Sequence, residues 1–454
     1  MNPDAAIGLL KQKTIIVPAW GGVKGLQREY EPEYHPVMNK GKYPDIIHSD
    51  GTIEEVTRIP LDFQRLASKR MTELVCGVPV KRVYHPENEG QRTAAKYIEA
   101  VYRRNRIDSV NVERLNMLYA GCEFVTLWYT VEQPTDVYGF NSRYKVRCRN
   151  FSPMLGDDLY PYFDEFGDLV ALSVGYSRRS GRKNIKYFDV YTANRHIRYS
   201  TAAGAGWSVE VDEKISIGKI PGVYCFRPTP VWESTSDLVY EIEWALSRNG
   251  NYLRKNSKPL FVVFADEEIQ YGEEEDEKKE FRSILQYPKG SSADYVTWPQ
   301  ATESLKFYVT ELRNYYFTQL QLPDWSYEKM SQQALSGESR KQLFIDCQLK
   351  VKDESGRLLE CFDREMNVVK AIVKDVAPDN LAKDIDELAV ETEITPFTVT
   401  DEKDTINNLM AANGGLPLCS QRESIEYLGW SQDIDKTMQQ IAADGERSVF
   451  EPYS

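Results

Sequence analysis

The chain has 454 residues, 41% hydrophobic and 28% charged, with a formal net charge of −13, the make-up of a folded protein of roughly two to four subdomains. It contains no apolar run of about 18 residues, so no helix is expected to span a membrane, and Met1-Asn2-Pro3-Asp4 lacks the basic and apolar regions of a secretory signal. The acidic balance argues against broad, tight wrapping of DNA, and seven scattered cysteines without a CxxC pair read as free thiols.

Residues 1–60, broken by Gly21-Gly22, Pro32, Pro36 and Pro44, read as a loop-rich arm, mobile or laid across a neighbour. A helix is expected from Pro60, with Phe63, Leu66, Met71 and Leu74 inward and Gly77-Val78-Pro79 closing it. A second covers 91–104, where Ala94, Tyr97, Ile98, Val101 and Tyr102 form a stripe, and a third covers 110–120. Residues 124–131 then read as a buried strand. Over 141–149 polarity alternates: Arg143, Lys145, Arg147 and Arg149 face one way, Tyr144, Val146 and Cys148 the other. Hairpin turns at 164–168 and 178–181, with strands over 187–191, 196–200, 207–211 and 222–226, complete an antiparallel region of about a hundred residues.

Helical spacing returns at Ser234, which with Asp237 resembles a capping box; Leu238, Ile242, Leu246, Asn249 and Leu253 line one face, and Asn249-Gly250 marks a kink. Beyond Pro259 come a short strand over 260–264, the acidic run Glu273, Glu274, Glu275, Asp276 and Glu277, and a strand pair near 284–287 and 295–298. A helix from Gln300 places Leu305, Val309, Leu312, Tyr316 and Leu320 together. Pro323-Asp324-Trp325-Ser326 opens a polar loop. Phe344, Cys347, Val351, Leu358, Phe362, Met366, Val369 and Val373 then step mostly by three and four, one face of a helix over 336–373 about 54 Å long, with Gly356 a bend. That periodicity alone fits a coiled-coil arm equally well. A lone strand over 394–399, a helix capped by Asp401 and ended by Gly414-Gly415, and another capped by Ser420 and Glu423 close the chain.

No constellation of catalytic chemistry stands out. Gly21-Gly22-Val23-Lys24-Gly25 lacks the spacing of a phosphate loop, Gly204-Ala205-Gly206 lacks a third glycine, and neither GxSxG nor HExxH occurs. The four histidines, His35, His48, His85 and His196, lie far apart and read as surface or packing residues. Asp157-Asp158 and Asp164-Glu165 with Asp168 read as turn residues rather than metal ligands. The acidic run is a solvated face or a specific contact; the basic stripe is a solvated strand face or a docking surface for an acidic neighbour. No enzyme activity, cofactor or metal is expected.

This order of elements resembles the portal proteins of tailed bacteriophages, the long-tailed-phage portal family, over most of residues 35–445. The helix ending at Gly77-Val78-Pro79, the helix–β insert–helix, the loop after Leu322, the long helix and the segment from Asp401-Glu402-Lys403 to Ser420-Gln421-Arg422-Glu423 carry the likeness. The C-terminal part is short, and the first 35 residues match nothing. The resemblance implies an α+β portal-type fold: a mixed wing (1–236), two stem helices (237–258 and 300–322), a β-rich clip (259–299), a tunnel loop (323–336), a long wing helix with a returning strand (337–399) and a reduced helical crown (400–454). It implies a ring, typically of about twelve subunits, at one capsid vertex of the virion, assembled in the bacterial host cytoplasm. Double-stranded DNA would be packaged through it by the terminase and later ejected, and the ring would connect head to tail. The implied channel residues are Pro323, Asp324, Trp325, Tyr327, Glu328 and Lys329. Glu273, Glu274, Glu275, Asp276 and Glu277 would meet partners at the clip, and Arg143, Lys145, Arg147 and Arg149 would lie between subunits. The implied partners are further copies, the terminase large subunit, a head-completion adaptor and the major capsid or scaffold protein, with no membrane. The alternative is another oligomeric head–tail adaptor or minor capsid protein.

Overall fold

A computed structural model of the chain describes residues 3–11, 23–202, 204, 206–256, 260–264, 292–296, 302–324, 344–397, 402–414, 418–429, 431 and 434–450. It divides into two units, Met1–Pro323 with Lys350–Pro396, and Asp324–Leu349 with Phe397–Ser454.

The N-terminal segment carries more structure than its prolines and glycines predicted. Helices α1 (Pro3–Leu10) and α2 (Val23–Tyr30) and the hairpin β1/β2 (Ile46–Ile47, Ile53–Glu54) lie within it. Each helix has eight residues, too short to hold in water alone, so tertiary contacts must supply the stability. Ile7 packs with Phe188, Val190 and Tyr199 of a sheet formed far along the chain.

Next come α3 (Phe63–Cys76), the short strand β3 (Lys81–His85), α4 (Glu89–Arg104) and α5 (Ile107–Gly121). The apolar stripe expected on α4 faces the core, where Ala94, Ile98, Val101 and Tyr102 are buried. Asn88 caps it by accepting from the Gln91 N–H at 2.7 Å.

The β region separates into two antiparallel sheets rather than one. The strands are β4 (Glu123–Thr135), β5 (Ser142–Phe151), β6 (Asp158–Phe163), β7 (Leu169–Ser180), β8 (Lys183–Tyr191), β9 (Arg195–Ser200), β10 (Ser208–Lys214) and β11 (Gly222–Phe226). One sheet runs β11-β4-β5, the other β10-β9-β8-β7-β6. The three-stranded sheet is covered on both sides over the first half of β4. Trp128, Val146 and Val223 point into a core shared with α4 and later helical residues. Val125, Leu127, Phe151 and Tyr224 point the other way and meet Leu172, Val174 and Tyr176 of the five-stranded sheet. A strand buried on both faces loses the alternation of a half-exposed one, which is why Phe124-Val125-Thr126-Leu127-Trp128 reads as a continuous buried run.

The helix expected to be capped by Ser234 begins later, as α6 (Ser236–Asn256), because residues 233–235 form a 3-10 turn closed by Thr235 Oγ1 donating to the Trp232 carbonyl at 2.9 Å. It runs unbroken through Asn249-Gly250, where a kink was expected. Strands β12 (Leu260–Phe264) and β13 (Ser292–Val296) pair antiparallel, Leu260 opposite Val296, and α7 (Thr302–Leu320) follows. The third insert strand was expected at 295–298; β13 begins earlier, and the second, expected at 284–287, lies outside the described residues.

The long helix is α8 (Ile345–Val376), 32 residues and about 48 Å, continuous through Gly356. Its expected start at 336 lies outside the described residues. Val351, Leu358, Phe362, Met366, Val369 and Val373 are all buried, as their spacing predicts. After it come α9 (Ala382–Glu387) and β14 (Ala389–Glu393). The returning strand expected over 394–399 lies five residues earlier in its start and is not alone: β14 pairs with β3, Ala389 opposite His85 through Glu393 opposite Lys81.

A buried ion pair ties α8 to α5. Arg114 donates to Glu365 through Nη1–Oε1 at 2.6 Å and Nη2–Oε2 at 2.8 Å. Trp128 Nε1 donates to the same carboxylate at 3.0 Å, and Asn111 Oδ1 accepts from Arg114 at 2.6 Å. Both charged side chains are at most 3% exposed. Burial opposes the Arg114 charge, but the Glu365 carboxylate beside it more than compensates and raises its pKa.

In the second unit, helices α10 (Glu402–Asn413), α11 (Gln421–Leu428) and α12 (Ile434–Phe450) follow one another. Asp401, expected to cap α10, lies outside the described residues. The box at Ser420 is formed as expected: Glu423 Oε2 accepts from the Ser420 N–H at 2.7 Å, and the Glu423 N–H donates to Ser420 Oγ at 3.2 Å.

Candidate functional site

The face of α6 turned inward includes Val239 and Ile242 with the polar Glu243 and Ser247, whereas Leu253, expected inward, is 41% exposed. The polar positions hold an extended segment of the N-terminal part. The Leu61 N–H donates to Glu243 Oε1 at 2.7 Å, the Ile59 N–H to Ser247 Oγ at 2.9 Å, and the Thr57 N–H to Asn251 Oδ1 at 2.5 Å. Residues 243, 247 and 251 stand four apart, one per helical turn, and each accepts from every second residue of an extended strap. Gly250 belongs to this arrangement: a Cβ there would stand 3.0 Å from Thr57 Cγ2, so the glycine permits close approach of the strap.

His35 anchors the strap a second time. Its Nδ1 lies 2.6 Å from Glu243 Oε1 and its Nε2 2.9 Å from the Glu29 carbonyl oxygen, with the ring and the Glu243 carboxylate both fully buried. Two acceptors face two ring nitrogens, an environment satisfied by the doubly protonated imidazolium. Burial acts to lower the His35 pKa, but the bonds to Glu243 and Glu29 outweigh it and the net shift is upward. The Glu29 carboxylate in turn accepts from Trp232 Nε1 and Ser236 Oγ, both at 3.1 Å.

Along α7 the expected stripe is half-buried at Leu305, Val309 and Leu312 and buried at Tyr316 and Leu320. Tyr316 donates to the Phe63 carbonyl at 2.6 Å, and its ring lies 4.9 Å from that of Phe63. Tyr308 donates to Glu241 of α6 at 2.9 Å. The remaining surface of α7 carries large apolar groups in solvent: Phe307 is 68% and Tyr315 54% exposed. Gln321 adopts a left-handed conformation (φ 52) that ends the helix, and Pro323 and Asp324 follow, half-buried. Trp325, Tyr327, Glu328 and Lys329, and likewise Glu273, Glu274, Glu275, Asp276 and Glu277, lie outside the described residues.

The alternation of β5 is as expected. Arg143, Arg147 and Arg149 are exposed and Lys145 half-buried, while Val146 is buried and Tyr144 and Cys148 are half-buried. Arg143 pairs with Glu132 at 2.6 Å, and the Arg149 guanidinium lies 4.5 Å from the centre of the Phe151 ring. The register puts Tyr129 opposite Arg147 and Val131 opposite Lys145, and these two are 40% and 41% exposed. Sequence reading missed both as surface residues. Their signal was the end of burial partway along β4, which only the extent of the five-stranded sheet sets.

Burial pushes the thiols of Cys76, Cys122 and Cys148 up to about 12, leaving them protonated at neutral pH. His196 stacks on Tyr191 at 4.5 Å and holds Glu213 at 2.7 Å, a packing role.

Residues 23–449 match the model of a family described as "Phage portal protein, SPP1 Gp6-like". No curated protein matches the chain significantly. Among solved structures, a chain from the neck of an empty gene transfer agent particle, computed with C6 symmetry, is similar at 11% identity and a TM-score of 0.40, covering 81% of this chain and 89% of that one. A chain from the virion of a native gene transfer agent particle is similar at 10% identity and a TM-score of 0.38, covering 94% and 98%.

Proposed function

The chain belongs to the SPP1 Gp6-like family of phage portal proteins, and from that premise we propose that it forms a ring at one capsid vertex and joins head to tail. Double-stranded DNA passes through the ring, driven inward by the terminase and released at ejection. The ring has about twelve copies, closed by heterologous contacts. Its role is structural, and nucleotide hydrolysis belongs to the terminase. The observation that carries this proposal is the family match across 23–449.

Within this proposal α6 and α7 are the stem helices and the insert between them is the clip, where Glu273, Glu274, Glu275, Asp276 and Glu277 meet the terminase or the head-completion adaptor. Residues 323–336 are the tunnel loop. A chain that is acidic over most of its length repels the phosphate backbone there, which suits a conduit that must not hold its cargo tightly. Exposed Phe307 and Tyr315 support α7 as a contact between copies, because apolar groups of that size gain most from being covered. Arg143, Lys145, Arg147 and Arg149, with Tyr129 and Val131 across from them, form a second such surface, basic and partly apolar. The major capsid or scaffold protein is the remaining partner.

Deleting residues 323–333 tests the channel assignment. Rings are expected to assemble as before, seen in electron micrographs, while DNA packaged per particle falls at least tenfold. Normal packaging by the deletion variant would remove the loop from the channel.

A further inference from the structure

Among the described residues no strand pairs with β7 beyond Gly175, paired with Asp158, or with β8 before Tyr187, paired with Ser200; only Thr201 continues alongside, donating its N–H to the Lys186 carbonyl and accepting the Lys186 N–H at Oγ1, both at 3.1 Å. From there they project as a two-stranded ribbon, Ser177 opposite Lys186, Arg178 opposite Ile185, Arg179 opposite Asn184 and Ser180 opposite Lys183, about 13 Å long. The ribbon carries Arg178, Arg179, Arg182, Lys183 and Lys186 and no Asp or Glu between 177 and 186, in a chain of net charge −13. All five are exposed. Arginines elsewhere in the same sheet are neutralised, Arg195 by Asp212 and Arg198 by Asp189. Among the described residues no ion pair is formed by the five on the ribbon. None of the five directly faces another cation, but Arg178 and Lys183, and Arg179 and Lys186, are diagonal neighbours across the strands, a concentration of uncompensated positive charge that suits an anionic ligand.

The placement of the cations indicates which one. Cross-strand pairs share a face, so Arg178 and Lys183 project from one side of the ribbon, Arg179 and Lys186 from the other, and Arg182 from the turn. An acidic protein surface would engage one side only. The ribbon also lacks the exposed aromatic or aliphatic anchor that a protein interface needs at its centre, since its one apolar residue, Ile185, is half-buried. A groove walled by phosphates on both sides matches cations on both faces and at the tip, and the major groove of duplex DNA admits a two-stranded ribbon. Arg178 is ordered for this by Tyr176 and Tyr187, whose ring centres lie 5.1 and 5.8 Å from its guanidinium.

We infer that the β7–β8 hairpin is a duplex-DNA contact, independent of base sequence, that inserts between phosphate walls. It draws on the portal proposal only for the presence of DNA. The test is fluorescence anisotropy of the assembled full-length protein with a labelled 25-base-pair duplex of mixed sequence, from 50 to 200 mM NaCl. The variant R179Q/R182Q/K183Q is compared with K42Q/K69Q/K352Q, which removes the same charge at other exposed sites, and thermal melting verifies that both are folded. The hairpin variant is expected to bind at least tenfold more weakly at 50 mM, with the slope of log K against log salt shallower by about 2.7, and the control to stay within twofold of the parent. An unchanged slope, equal loss in both variants, or no binding by the parent overturns the inference. So does loss of ring assembly in the hairpin variant with duplex binding intact, which would assign the ribbon to an acidic protein face. A parent that binds duplex through the hairpin yet forms no ring would instead count against the portal proposal alone.

Discussion

Glu365→Ala is expected to cost about 3–5 kcal/mol, a large part of the 5–15 kcal/mol typical of a domain. The substitution leaves the Arg114 guanidinium buried, with Asn111 and Thr126 as its remaining hydrogen-bond partners, and strips Trp128 Nε1 of its acceptor. Arg114 has no path to solvent for its charge, because its side chain is 2% exposed, and arginine does not escape by losing its proton. Urea titration measures the loss directly. The double variant R114M/E365M, which removes both charges and keeps most of the volume, is expected to recover most of it. A Glu365→Ala variant within about 1 kcal/mol of the parent would mean that the pair contributes no more than a surface salt bridge.

Glu243→Ala is expected to free the N-terminal strap at a cost on the order of 3 kcal/mol, since it leaves the Leu61 N–H and one His35 nitrogen without acceptors in a buried site. Hydrogen exchange should rise sharply over residues 35–61 and little in α4 or α8. The pH dependence of the same latch has a definite sign. The His35 pKa is raised in the folded state, so its contribution is fully present below the ordinary histidine value of about 6.5 and is lost as pH rises through the folded value. Protection of the strap should therefore fall as pH rises above about 6.5, and His35→Gln should abolish that dependence. A strap equally protected from pH 5.5 to 9 in the parent would rule out a protonated His35.

What the sequence made legible is what short periods encode. The stripes of α4 and α8, the alternation of Arg143 to Arg149, the hairpin turns at Gly167 and Gly181 and the box at Ser420 each depend on residues within a turn or two of one another. The helix–insert–helix order followed from these, and the resemblance to portal proteins that it carried implied the α+β class. Pairings across the chain were not legible. Leu61 bonds to Glu243 182 residues away, and nothing in either neighbourhood marks Glu243, Ser247 and Asn251 as anything but a polar helix face. The short helices α1 and α2 owe their existence to what they pack on, and β3 was overlooked because its partner β14 lies some three hundred residues on. The division into two sheets was missed for a related reason: a strand covered on both faces looks the same in sequence whatever covers it. Of the candidate site residues, the four on β5 alternate with Tyr144, Val146 and Cys148 along one strand, and Tyr129 and Val131 lie across from two of them; Pro323 and Asp324 end the first unit and begin the second.

Exposed aromatic groups on α7 and a partly apolar basic face on β5 are surfaces that a lone copy leaves wet, and the portal proposal requires them to be covered by neighbouring copies. Native mass spectrometry of the purified full-length protein, with negative-stain images of the same sample, measures this most directly. A closed ring of about twelve copies around a central opening is the predicted result. A stable monomer, imaged as a solitary particle without an opening at concentrations well above micromolar, would contradict it.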